Sequence, residues 1–273
     1  MIGSSASLSA LSGRGRLRVE PDVEAVAAVV AEALHRALER RAVLGLATGR
    51  TMEPVYAALR ERLMALPQLQ RRSLLEGWCS FNLDEYVGLG PQHPTSFAAF
   101  MQQQLAEPLQ LLPGCLQLPD GLAPELDQEA RRYGEAVVAA GGIDLQLLGL
   151  GSNGHVGFNE PPCATDAPCR CLALSQATRE QNAASFGGDP LAVPAQAITL
   201  GTAEILKSRR VLLVVTGAAK AEILRRALQE PPCPEVPASW LQRHPKLDVV
   251  VDQAAAAALQ NSEGIRSGPG LQR

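Results

Sequence analysis

Apolar residues in this chain fall into short continuous runs, separated by longer stretches in which they recur every three or four positions. The short runs predict strands at Ala42–Leu46, Trp78–Leu83, Ile143–Gly149, Ala197–Leu200, Val211–Thr216 and Leu247–Val251. Most are apolar throughout rather than alternating, which suits strands covered on both faces of a parallel sheet. The three-to-four spacing predicts helices over Asp22–Arg40, Met52–Ala65, Ser96–Leu105, Pro124–Ala140, Ala203–Lys207, Lys220–Gln229 and Gln253–Gln260. Strand and helix patterns alternate, so the predicted fold is single-domain α/β, with a Rossmann-like, doubly wound, mostly parallel sheet and helices on both faces. Residues 1–16 and 261–273 are small, polar and Gly/Ser-rich, and predict disordered tails around a domain spanning 17–260. From 161 to 194, prolines, glycines and cysteines show no clear period. This predicts a long irregular lid segment, with a plain insertion as the alternative.

Composition narrows the class. The 273 residues are 46% hydrophobic, enough for a sizeable core, and the formal net charge of −3 leaves no basic face for nucleic acid. Lys207, Lys220 and Lys246 are the only lysines, so nearly every cation is arginine. No apolar run approaches the roughly 18 residues of a membrane helix, and the N-terminus lacks a charged region followed by a long apolar stretch. The expectation is a cytoplasmic enzyme with a small-molecule substrate. The 6 cysteines do not form a disulfide framework in a chain this long. Cys163, Cys169 and Cys171 cluster, but lack the paired spacing of a structural zinc site, so no metal is expected.

Ligands of open α/β sheets bind beyond the carboxyl ends of the strands, and four such ends carry unusual residues. After the first strand, Ala47-Thr48-Gly49-Arg50-Thr51 opens a helix; its amides and threonine hydroxyls suit a phosphate. The segment falls one residue short of a P-loop and has arginine in place of the lysine, which disfavours nucleotide hydrolysis but leaves a sugar phosphate open. An ordinary capped helix is the plain alternative. After the second strand, Asp84 and Glu85 stand side by side. Successive strand residues face opposite ways, so one carboxylate meets the crevice as a general base and the other pairs elsewhere. After the third, Gly149, Gly151 and Gly154 spell the dinucleotide fingerprint, but Pro161-Pro162 break the long helix it requires, and Leu174 occupies the place of its acidic residue. The informative residues there are Asn153, His155 and Glu160, a histidine with polar company that can shuttle protons near neutral pH. After the fifth, Lys220 sits in the first turn of a helix, where the dipole disfavours a cation unless an anion joins it.

Together GLATGRT (45–51), FNLDEYVGL (81–89), HPTSF (93–97), LGLGSNGHVGFNEP (148–161), AITLGTAEIL (197–206) and GAAKAEIL (217–224) resemble the glucosamine-6-phosphate deaminase family, whose fold is shared with the 6-phosphogluconolactonases. The resemblance covers roughly residues 20–252. It implies conversion of glucosamine 6-phosphate and water to fructose 6-phosphate and ammonia, in amino-sugar catabolism, without metal or organic cofactor. By the same resemblance, His155 opens the sugar ring, Glu160 holds the imidazole, Asn153 takes the third place of the relay, and Asp84 removes the C2 proton, with Glu85 the less favoured base. Thr48, Gly49, Thr51 and Lys220 match the family's phosphate contacts. Two positions depart from the pattern: Arg50 replaces a small residue, and Ala184 replaces a lid arginine. The expectation is that Arg50 substitutes for the missing cation, with Arg179 a second candidate. Some family members are hexamers activated by N-acetylglucosamine 6-phosphate. Cys163 and Leu172 cannot bind an anion as that site's serine and lysine do, and Arg170 alone persists, so a non-allosteric monomer or small homo-oligomer is expected. The competing readings are a lactonase or another sugar-phosphate isomerase of the same fold, and a sugar-phosphate sensor, which would need a DNA-binding segment that the first 20 or so residues are too short to hold.

Overall fold

The computed structural model describes residues 15–259. The expected tails lie outside these residues, except that Arg16 already heads a strand. The strands are β1 (Arg16–Glu20), β2 (Val43–Leu46), β3 (Cys79–Asn82), β4 (Asp84–Tyr86), β5 (Leu116–Gln117), β6 (Leu145–Leu148), β7 (Arg170–Ala173), β8 (Gln196–Thr199), β9 (Val211–Val215) and β10 (Leu247–Asp252). Seven of them form one sheet in the order β1-β10-β9-β6-β2-β3-β5, and every pairing within it is parallel. The doubly wound α/β fold is therefore the observed one.

Burial explains why the continuous apolar runs became the central strands. Leu44, Leu46, Leu147, Leu148, Val211, Leu213, Val214, Val249 and Val251 have no exposed surface. Helices cover them through apolar residues at three-to-four spacing, as in Val23–Glu39, where Val26, Ala27, Val30, Ala31, Leu34 and Leu38 turn inward. That helix starts where Asp22 accepts the Ala25 N–H at 2.8 Å. The stretch expected as one helix from Ser96 to Leu105 is subdivided: Ser96 caps Phe97–Met101, and a wider π turn, Gln102–Ala106, follows.

Two expectations need correction. Ala197–Leu200 is a strand, but β8 lies in a second, antiparallel sheet of three strands in the order β4-β8-β7. The 161–194 segment is also less irregular than its composition suggests. It contains β7, the helix Gln176–Asn182 capped by Ser175, and a tight 3-10 turn, Ala183–Phe186. A separate aromatic core orders it. Tyr86 packs against Phe97 at 4.7 Å, Phe158 at 5.4 Å and Phe186 at 5.5 Å between ring centroids, with Leu174, Ala183 and Val193 buried alongside. Phe186 thus fastens the segment to the strand that carries Asp84.

Candidate active site

Because the main sheet is parallel, the turns after β2, β6 and β9 gather at one edge, with the β3–β4 junction beside them. After β2 the chain bends at Gly49, whose φ of 101° favours glycine. The Met52 N–H then closes on the Gly49 carbonyl at 2.8 Å, starting the helix Met52–Met64. No side chain caps that helix, and the Thr48 and Thr51 hydroxyls bond no other group of the described residues. An uncapped helix start with two open hydroxyls suits an anion.

The junction between β3 and β4 separates the two adjacent carboxylates. Glu85 accepts N–H bonds from Tyr86 at 2.8 Å, Phe97 at 3.0 Å and Ala98 at 2.8 Å. It therefore holds the start of the Phe97–Met101 helix; burial raises its pKa while these amides oppose the rise. Asp84, paired across the antiparallel sheet with Thr199, is only 6% exposed, yet its carboxyl makes no hydrogen bond among the described residues. Burial first, and the Glu85 charge second, push the Asp84 pKa up to about 8. The backbone at Gly157 crosses close above it. A Cβ there would stand 3.3 Å from Asp84 Oδ2 and 3.0 Å from Thr199 Oγ1, and that hydroxyl accepts the Phe158 N–H at 3.2 Å.

The loop after β6 carries His155. A tight turn closes it, Gly151 donating to the His155 carbonyl at 2.9 Å and Gly154 to the Gly151 carbonyl at 3.1 Å. The imidazole lies directly against Gly151, where a Cβ would fall 2.3 Å from its Nε2. Burial draws the His155 pKa down to about 4; Glu160 works against this shift and Lys220 with it, so the ring is neutral at pH 7.

The companions of His155 differ from expectation in their contacts. Asn153 Oδ1 accepts the His155 backbone N–H at 3.2 Å and so fixes the loop rather than the ring. Glu160 does not hydrogen-bond the imidazole. Its Oε2 accepts the Ser175 N–H at 3.0 Å, because the 161–194 segment folds back over it. Its Oε1 and the His155 Nδ1 are both buried without a hydrogen-bond partner. The two groups are coupled through charge alone.

After β9, Gly217 adopts a φ of 90° and donates to Asp252 at 2.9 and 3.1 Å. Asp252 also caps the last helix through the Ala255 N–H at 2.7 Å. The turn presents Lys220, whose pKa is lowered by burial first and by the Arg50 charge second. Asp252 was not singled out in the sequence, although an aspartate between a valine run and a helical stretch is a cap signal. Arg179 does not reach this region: its Nε and Nη2 donate to the Val193 and Leu191 carbonyls at 3.2 and 3.0 Å. It braces its own segment, because the chain curls around it. Among the described residues, no group of three or more His, Cys, Asp or Glu side chains is disposed to hold a metal.

A buried carboxyl, a neutral histidine and a cationic turn gathered on a parallel α/β sheet suit acid–base chemistry on a phosphorylated small molecule. The family model described as glucosamine-6-phosphate isomerases/6-phosphogluconolactonase matches residues 20–250, and the chain belongs to that family. It is 42% identical over 245 residues to a glucosamine-6-phosphate deaminase of Rhodopirellula baltica, covering 89% of this chain and 95% of that one. A deaminase of Hahella chejuensis is 41% identical, covering 90% of this chain and 92% of its own. Among solved structures, a monomeric glucosamine-6-phosphate deaminase superposes with a TM-score of 0.82 at 34% identity, covering 90% of this chain and 99% of its own. A 6-phosphogluconolactonase from Trypanosoma cruzi superposes at 0.70 with 17% identity, covering 94% and 100%; it shares the fold alone.

Proposed function

We propose that this enzyme is a glucosamine-6-phosphate deaminase, converting glucosamine 6-phosphate and water to fructose 6-phosphate and ammonia. The observation that carries the reading is an unbonded, buried carboxyl at Asp84 beside the His155 loop, in a chain about 40% identical to several such deaminases over nine-tenths of its length.

His155 opens the sugar. A neutral imidazole holds one ring proton and one free lone pair, so it can take the anomeric hydroxyl proton and deliver one to the ring oxygen. Glu160, whose charge favours the imidazolium, stabilises the ring while it carries both protons, and Asn153 keeps its loop in place. Asp84 then removes the C2 proton of the open-chain form. A carboxyl raised to about 8 is largely protonated in the free enzyme at neutral pH, and the substrate resolves this. Its C2 ammonium stands next to the base, and an opposite charge restores the carboxylate. The same burial leaves that carboxylate poorly solvated and therefore more basic than an exposed one. Loss of the C2 proton gives an enolamine, and protonation at C1 gives an iminium at C2. Water adds there, and ammonia leaves to give the ketose. Glu85, tied to three backbone amides, is structural. Thr48, Gly49, Thr51 and Lys220 receive the phosphate, and the 161–194 segment serves as the lid.

The enzyme works without an anionic effector, as a monomer or small homo-oligomer. Arg170 is committed within its own chain, to Asn159 Oδ1 at 2.9 Å and the Pro168 carbonyl at 3.1 Å. Cys163 is buried, and Leu172 offers no charge. A phosphorylated substrate and unpaired cysteines suit the cytoplasm.

The test is ammonia release by the purified protein given glucosamine 6-phosphate, with and without N-acetylglucosamine 6-phosphate. Hyperbolic release, unchanged by the acetylated sugar, is expected. Absence of release would overturn the deaminase reading, and activation would overturn the effector-free one.

A further inference from the structure

The helix Gln176–Asn182 of the 161–194 segment touches the His155 loop twice, once near each of its ends. At its start, the Ser175 N–H donates to Glu160 Oε2 at 3.0 Å. Near its close, Gln181 Oε1 accepts the Ser152 N–H at 3.2 Å and the Ser152 hydroxyl as well. From Ser175 to Gln181 the helix runs about 9 Å, so it bridges the two ends of the stretch from Ser152 to Glu160. The cation of this helix, Arg179, is tied to the Val193 and Leu191 carbonyls. What the helix offers the site is therefore this pair of contacts.

Ser152 stands inside the turn that sets the imidazole. Gly151 donates to the His155 carbonyl, and Gly154 to that of Gly151. The ring rests on Gly151, just before Ser152, and Asn153, just after it, accepts the His155 N–H. Gly151 and Gly154 carry no side chain to lock the backbone, and Ser152 is exposed, so packing does not fix the turn at this point. The His155 Nδ1 adds no restraint, being buried without a hydrogen-bond partner. Gln181 supplies the restraint that packing does not.

We infer that Gln181 is a positioning residue for the proton transfers at His155: by accepting both donors of Ser152, its side-chain oxygen holds the Gly151–Gly154 turn, and with it the imidazole, in the place that the seated helix dictates. The helix and the ring thereby share one setting. A helix that swings away releases Ser152 and Glu160 together, so the ring is held for chemistry only while the segment is seated.

The part His155 plays in the reaction rests on the deaminase reading; its seating does not, and the test reads the two separately. Gln181→Met keeps the length and helix propensity of glutamine without the oxygen, and Gln181→Glu keeps an acceptor. Each is compared with the wild type in glucosamine 6-phosphate kinetics and in the titration of the His155 Cε1–H resonance, assigned by its loss in His155→Gln. The charged groups that act on the ring, Glu160 and Lys220, are unchanged in both. Gln181→Met is expected to lower kcat about 3- to 10-fold with KM within about twofold, as a slightly misplaced catalytic group should. Its His155 should titrate above the wild-type value of about 4, because a displaced ring meets water. Gln181→Glu should restore kcat. Wild-type kcat in Gln181→Met, or a lowered kcat with an unmoved His155 titration, would overturn the inference, as would an equal loss in Gln181→Glu. A moved titration in Gln181→Met, together with a wild type that releases no ammonia, would uphold the seating and overturn the deaminase reading.

Discussion

At one end of the crevice Asp84 and His155 are 6% and 8% exposed; at the other, Gly49 and Arg50 are open to solvent. The buried end displaces two pKa values in opposite directions, one up to about 8 and the other down to about 4, because desolvation disfavours the charged form of either group. Both groups are thus held near neutrality, ready to exchange protons with a substrate. The other end offers an uncapped helix start, two open hydroxyls and the half-buried Lys220, the proposed seat of the phosphate. On the proposed mechanism, chemistry depends on nearly buried side chains, whereas affinity depends on groups that a charged ligand meets first. Substitutions at the two ends should separate kcat from KM.

The largest effect is expected at the buried end. Asp84→Asn keeps the shape and removes the base, so kcat should fall about 10²- to 10⁴-fold while KM stays within a few-fold. Stability should move the other way. A carboxyl whose folded pKa is raised above its unfolded value of 3.8 destabilises the protein increasingly as pH climbs from about 4 to 8. Thermal melts should therefore show Asp84→Asn gaining on the wild type at pH 8 and matching it near pH 4. A variant less stable than the wild type at pH 8 would contradict the burial argument.

Next comes the glycine beneath the imidazole. Gly151→Ala places a Cβ 2.3 Å from the ring, so the ring must leave its position. A drop in kcat of about 10²-fold is expected from such a displacement, along with roughly 1–3 kcal/mol of lost stability from overpacking. Wild-type kcat in this variant would show that the ring position does not matter. The smallest change belongs to Glu85→Gln. It weakens the bonds to Phe97 and Ala98 and turns an amide donor towards one of these N–H groups, so about 1–2 kcal/mol of stability should be lost. Its kcat should stay within a few-fold, unlike that of Asp84→Asn one residue away. Equal kcat losses at the two positions would erase the distinction drawn between them.

The parts of the fold legible in the sequence are those whose burial is local and complete. β2, β3, β6, β9 and β10 read as apolar runs because both faces are covered. β4, β5 and β7, with the sequences DEY, LQ and RCLA, carry no such pattern and exist through their partners. β1 alternates, with Leu17 and Val19 packed inward, a signal outweighed by the polar stretch before it. The helix Gln68–Glu76 buries no residue, so no apolar stripe announces it, and Gln176–Asn182 is similarly polar.

The place of the candidate site was legible for a related reason. Carboxylates, histidine and lysine at the ends of buried strands are costly to place there without a partner. Which partner each one finds was not legible, since Glu160 meets Ser175, Gly217 meets Asp252, and Arg179 meets Leu191 through tertiary folding. Spacing in the sequence carries no signal for such contacts.

The pH dependence of wild-type turnover reveals whether a buried, protonated Asp84 becomes the C2 base when the substrate's ammonium arrives. The acid limb of kcat/KM reports the free enzyme and that of kcat reports the complex. The expected result is a kcat/KM that climbs with pH through about 8, with the limb of kcat displaced to lower pH by at least one unit, the scale on which a neighbouring opposite charge acts. Coincident limbs, or a kcat/KM already level at pH 6, would contradict it.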